Sequence, residues 1–132
     1  MVNAKAAYWV DLAGYDMDTA KAMLQTGRLL YVGFMCHQVV EKMIKAWWAW
    51  AKDSTPPYTH SLVTLATLSG LFDLLGPEQR ALLDRLGPLN VECRYPSDRQ
   101  RVLASLTHGR CQALISQTEE LRQWIHSKLS NS

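Results

Sequence analysis

The sequence predicts an all-α fold, an up-and-down bundle of three long helices with one or two short helices between them. Two observations carry this. Nowhere do apolar and polar residues alternate at the two-residue period of a strand, whereas apolar residues recur at helical intervals over long stretches. The stretch Leu29–Trp50 is apolar around most of a helical cylinder, with His37, Gln38, Glu41, Lys42 and Lys45 forming one polar stripe. A helix of that kind is buried by neighbours on several sides, so it reads as the centre of the bundle. Its charged residues interrupt the run of about 20 apolar residues that a membrane span needs, and no membrane association is expected.

The other elements follow in order. The first helix is expected over about Ala4 to Thr26, with Trp9, Leu12, Tyr15 or Asp16, Ala20, Met23 and Leu24 approximating one stripe and Gly27 as its stop. The short turn at Gly27–Arg28 makes it an antiparallel neighbour of the central helix. Pro56–Pro57 ends the central helix, because proline can neither donate to a helix nor follow a helical residue comfortably. Thr59 or Ser61 then caps a short helix, Leu62 to about Leu68, which turns Leu62, Leu65, Ala66 and Leu68 inward before Gly70. Pro77 and Glu78 open another helix, with Ala81, Leu82 and Leu86 as its apolar face, extending to Leu89. An irregular segment, Asn90–Asp98, leads to a last long helix from about Arg99 to Lys128, capped by Ser97 or Asp98. On it Leu103, Leu106, Leu114, Leu121 and Ile125 share a face, and Arg101 and His108 fall on the opposite side.

A length of 132 residues fits one domain over 1–132. The hydrophobic share of 48% and charged share of 20% exclude a disordered chain. A net charge of +2 is too small to mark a nucleic-acid binder, so any such case rests on where the arginines sit. Cys36, Cys93 and Cys111 have neither CxxC spacing nor a histidine at a zinc-ligand interval. They are read as reduced thiols of a cytoplasmic protein, and neither metal nor cofactor is expected.

The order of four motifs is similar to the HEPN family of small helical domains. These are Tyr8–Trp9–x–x–x–Ala13–x–x–Asp16, Phe34–Met35–Cys36–His37–Gln38–Val39–Val40–Glu41–Lys42, Pro57–x–Thr59–His60–Ser61–Leu62 and Glu92–x–Arg94–Tyr95–Pro96. The resemblance spans nearly the whole chain and implies a bundle that dimerises. It further implies nucleotide or RNA binding and, for some members, metal-independent RNase activity in toxin–antitoxin pairs with a minimal nucleotidyltransferase. The RNase members carry an Arg followed by a polar residue, then a His four to six residues on. Arg101 and His108 match the outer limit of that spacing, but Val102 stands where the toxins carry a polar residue.

Several side chains are therefore candidates. Arg101 and His108 are the candidate catalytic pair: an imidazole can exchange protons with a ribose hydroxyl, and a guanidinium can hold the phosphate. Arg94, Arg99, Arg101 and Arg110 lie in a stretch whose sole acid is Asp98, which points to an anionic ligand, with Tyr95 available to stack on a base. Arg94 can equally pair with Glu41 or Glu92 and fix the loop. His37 and Glu41, one helical turn apart, form a polar network with His60 or the Arg94 segment, or border a cleft, because an unpaired buried charge is costly. Arg94, Tyr95, His60, His37 and Glu41 thus form the candidate ligand-binding set. Trp47, Trp48 and Trp50 cannot all face one core, so at least one indole should reach the surface or a partner.

Overall fold

A computed structural model, which describes residues 3–52, 54–90 and 96–130, shows six α-helices, five of them packed around the central one. They are α1 (Ala4–Gln25), α2 (Leu29–Lys52), α3 (Leu62–Leu68), α4 (Pro77–Leu86), α5 (Pro96–Ser105) and α6 (His108–Ser130). Two 3₁₀ turns, Phe72–Leu74 and Gly87–Leu89, fill the connections, and there is no strand among the described residues. No helix among them is long and apolar enough to cross a membrane.

The hairpin of α1 and α2 is the frame. Asn3 caps α1 by accepting from the Ala6 amide at 2.8 Å, and its own amide donates to the Ala49 carbonyl at 3.1 Å. Gly27 sits at φ +73°, the left-handed conformation that lets α1 stop and reverse within one turn. Helix α2 then packs on α1 and α6 and is touched by α3, α4 and α5. Val32, Cys36, Val39, Val40, Met43 and Ile44 are all fully buried, which accounts for its nearly all-round apolarity. Burying each of the larger of these side chains contributes about 1.5–3 kcal/mol. Gly33 allows the turn after α4 to approach, since a Cβ there would lie 3.1 Å from Leu89 Cδ1.

Helix α1 resolves the choice between Tyr15 and Asp16: Tyr15 is 73% exposed, while Asp16 is buried and ion-paired with Lys42 of α2. Ser61 rather than Thr59 caps α3, accepting from the Thr64 amide at 3.2 Å. Leu68 does not point inward; it is half exposed at the open end of α3. In α4 it is Leu83, not Ala81, that joins Leu82, Leu86 and Leu89 in the core. Trp47 is buried with its indole N–H donating to the Ser69 carbonyl at 3.1 Å, and Trp48 and Trp50 are half-buried.

The last helix is not continuous. It begins at Pro96, a favoured first position for proline, which puts Ser97 and Asp98 within the helix rather than at its cap. It breaks between Ser105 and His108 because the polar side chains there compete for the backbone. Ser105 Oγ donates to the Val102 carbonyl at 2.7 Å, and Thr107 Oγ1 accepts from the Arg110 amide at 3.1 Å, capping α6. Arg110 Nη1 donates to the Ser105 carbonyl at 2.8 Å and so closes the end of α5. Before α6 the inward face also differs from the expected one: Val102 and Leu106 are buried while Leu103 is 37% exposed.

Candidate functional site

The polar stripe of α2 builds the best-defined site. Helical spacing places His37, Glu41 and Lys45 on successive turns of one face, where His37 is 1% and Glu41 3% exposed. Burial of a carboxylate demands partners, and Glu41 has two. Its Oε2 accepts from Lys45 Nζ at 2.9 Å, and its Oε1 lies 3.0 Å from His60 Nδ1. Lys45 in turn sits 5.3 Å from the Trp9 ring centroid, an aromatic face that suits an ammonium.

His60 reaches this carboxylate from the loop between α2 and α3. Thr59 Oγ1 accepts from the Ser61 amide at 3.2 Å and Ser61 caps α3, so the loop is fixed on both sides of the histidine. The Tyr58 ring lies edge-on, 5.8 Å away. His60 keeps 54% of its side chain exposed. A carboxylate can only accept, so the Glu41 contact places the proton of a neutral His60 ring on Nδ1 and leaves Nε2 with a lone pair. An exposed imidazole oriented by a buried carboxylate can accept from a donor, can hold a phosphate oxygen once Nε2 carries a proton, and can exchange that proton.

His37 behaves differently. Its Nδ1 is 3.8 Å from Glu41 Oε1, too far for a hydrogen bond, and has no hydrogen-bond partner. Burial pushes its pKa down to about 4, against the pull of the Glu41 carboxylate and with the neighbouring His60 adding to the fall. The ring is therefore neutral at physiological pH. His37 and His60 border a cleft of about 390 Å³, whose other polar walls are Ser61, Asp84 and Asn90. Gln38 Nε2 donates to Asn90 Oδ1 at 3.3 Å and ties this wall to α2. Of the five candidate ligand-binding residues, the structure brings His37, Glu41 and His60 together. Arg94 and Tyr95 lie outside the described residues.

Arg101 and His108 do not share a helix face. Arg101 is exposed on α5 and His108 is the exposed first residue of α6, with the Leu106–Thr107 break between them. The seven-residue interval therefore no longer fixes their relative direction. Arg99 and Arg110 are exposed at the same corner of the chain, and the sequence carries no carboxylate between Asp98 and Glu119. Lys45, Asp84 and Asn90 are site neighbours that the sequence reading left unassigned. Lys45 alone carries a sequence signal, its position one turn after Glu41.

Cys36 and Cys111 are buried free thiols, and burial lifts the Cys36 thiol to about 11, far from a reactive thiolate. Among the described residues no group of three or more His, Cys, Asp and Glu side chains is arranged to hold a metal ion. The model of the HEPN domain matches residues 6–129. No curated protein and no solved structure matches the chain.

Proposed function

Because the chain belongs to the HEPN domain family, we propose that it binds a phosphate-bearing ligand, a nucleotide or RNA, along the basic α5–α6 corner and the His60 cleft. The observation that carries this is charge placement. Arg99, Arg101, His108 and Arg110 are all exposed in a stretch free of carboxylates, in a chain whose net charge is only +2. Arginine forks suit phosphate oxygens, and such contacts give affinity without requiring a deep pocket. In this reading Arg94 adds a further phosphate contact, Tyr95 stacks on a base, and His60, positioned by Glu41 beside the neutral His37, contacts the ligand at the cleft mouth. The protein acts as a cytoplasmic single-domain homodimer, and a minimal nucleotidyltransferase in a toxin–antitoxin pair is the partner class that fits the family.

A second reading, a metal-independent RNase, rests on the exposure of both Arg101 and His108 at the corner. His108 would take the proton of a ribose 2′-hydroxyl as that oxygen attacks phosphorus. Arg101 would hold the developing charge while the P–O5′ bond breaks and the leaving oxygen takes a proton from water, giving a 2′,3′-cyclic phosphate. Val102 and the helix break weigh against this reading. Incubation of the purified protein with total RNA, with and without EDTA, separates the two. Cleavage that survives EDTA and disappears in both Arg101→Ala and His108→Ala establishes the nuclease. Intact RNA that is nevertheless retained at low salt establishes the binding module, and neither cleavage nor retention refutes both.

A further inference from the structure

Adjoining the α5–α6 corner and sharing Arg110 with it, α4 and α6 touch only sparsely, and the gap between them is lined rather than filled. Two adjoining concavities of about 920 and about 370 Å³ occupy it and share Arg85 and Gln117 as a common wall. Ala81, Leu82, Leu121 and Trp124 line the first, and Leu89, Leu106, Ala113 and Leu114 line the second. Along α6 the lining runs from Arg110 to Trp124, about 21 Å at the helical rise, or about four turns.

Charge is segregated along this gap. Glu78 and Glu120 stand at the Trp124 end, while Arg85 and Arg110 stand from the middle to the Leu106 end. Arg85 Nη2 donates to Gln117 Oε1 at 2.7 Å across the gap, and both of those side chains are exposed. The leucines of this trough are sunk into the core, and Ala81, Ala113 and Trp124 reach its surface. Four turns long with opposite charges at its ends, it fits a helix laid lengthwise with its apolar face down once the exposed Arg85–Gln117 pair swings aside. The occupant's polar edge must then be basic beside Glu78 and Glu120 and acidic beside Arg85 and Arg110. We infer that the α4–α6 groove docks an amphipathic helix of a partner protein, about four turns long, with charge segregated toward its two ends.

The test uses the full chain and two synthetic helical peptides of about 14 residues that share the same leucine face. One carries lysines at one end and glutamates at the other; the second carries glutamates at both ends. Fluorescence anisotropy should show the segregated peptide binding at least about tenfold more tightly to the wild type. The Glu78→Lys/Glu120→Lys variant, which makes both ends of the groove basic, should reverse that preference. Filling the floor with Ala81→Gln/Ala113→Gln should abolish binding of both peptides while circular dichroism shows the fold retained. Equal binding of the two peptides, binding that ignores the floor substitutions, or no binding of either overturns the proposal. A wild-type dimer that these floor substitutions convert to monomer also overturns it, because the occupant would then be a second copy of this chain.

Discussion

Acid should destabilise this protein through one buried ring. His37 is neutral in the folded chain because burial holds its pKa at about 4, whereas a free imidazole titrates near 6.5. Above about pH 6.5 neither state binds the proton and the ring adds nothing to the pH dependence. Between about 6.5 and about 4 the unfolded chain takes up a proton that the folded chain refuses, so stability falls as pH falls. The gap is worth about 3 kcal/mol once pH reaches about 4. Glu41, His60 and Lys45 are the charged and chargeable neighbours of the ring, so the wild type alone does not isolate it. Urea melts of wild type and His37→Leu at stepped pH values do. Near pH 7 the variant should be the less stable by about 1–3 kcal/mol, because leucine removes the ring's hydrogen bond to the His60 backbone although it strands no partner of the unbonded Nδ1. By pH 4 that difference should have moved by about 3 kcal/mol in favour of the variant. A difference that stays constant across this range, or a wild type that gains relative stability in acid, refutes the reasoning.

Other outcomes follow from the same geometry. Glu41→Ala leaves the Lys45 ammonium and His60 without their acceptor. It should lower stability by about 2–4 kcal/mol in urea melts, below the upper range for a broken buried pair because Lys45 can lean outward from 14% exposure; a loss under about 1 kcal/mol would contradict the network. Thr107→Ala removes the cap of α6 and should cost about 1 kcal/mol, with faster hydrogen exchange at the Arg110 amide as the local signature. Light scattering at micromolar concentration should give a dimer, and a monomer would remove that part of the proposed function.

The long helices were legible because their signals are local and redundant: a period, a stop at Gly27 and a double proline after α2. Helix α3 begins and ends where its serine cap and Gly70 require. The break before α6 was hidden because Leu103, Leu106 and Leu114 continue a helical rhythm straight across it. What decides there is hydrogen bonding by Ser105, Thr107 and Arg110, which hydropathy does not register. At the site, the His37–Glu41 adjacency is a helical turn and therefore visible, and so was a link to His60. The Lys45 and Asn90 interactions depend on side-chain direction and on how the 3₁₀ turn folds back against α2, which spacing alone does not specify.

The claim that the arginine-bearing α5–α6 corner binds phosphate is tested most directly by a salt titration of RNA affinity. A labelled single-stranded RNA should bind the wild type at low salt and weaken steeply between about 50 and about 200 mM. Arg99→Ala/Arg101→Ala, which removes two exposed cations, should flatten the slope of log affinity against log salt by about 1.4, on the order of 0.7 for each phosphate that a cation no longer neutralises. No measurable affinity at low salt, or a slope unchanged by the double substitution, would contradict the account.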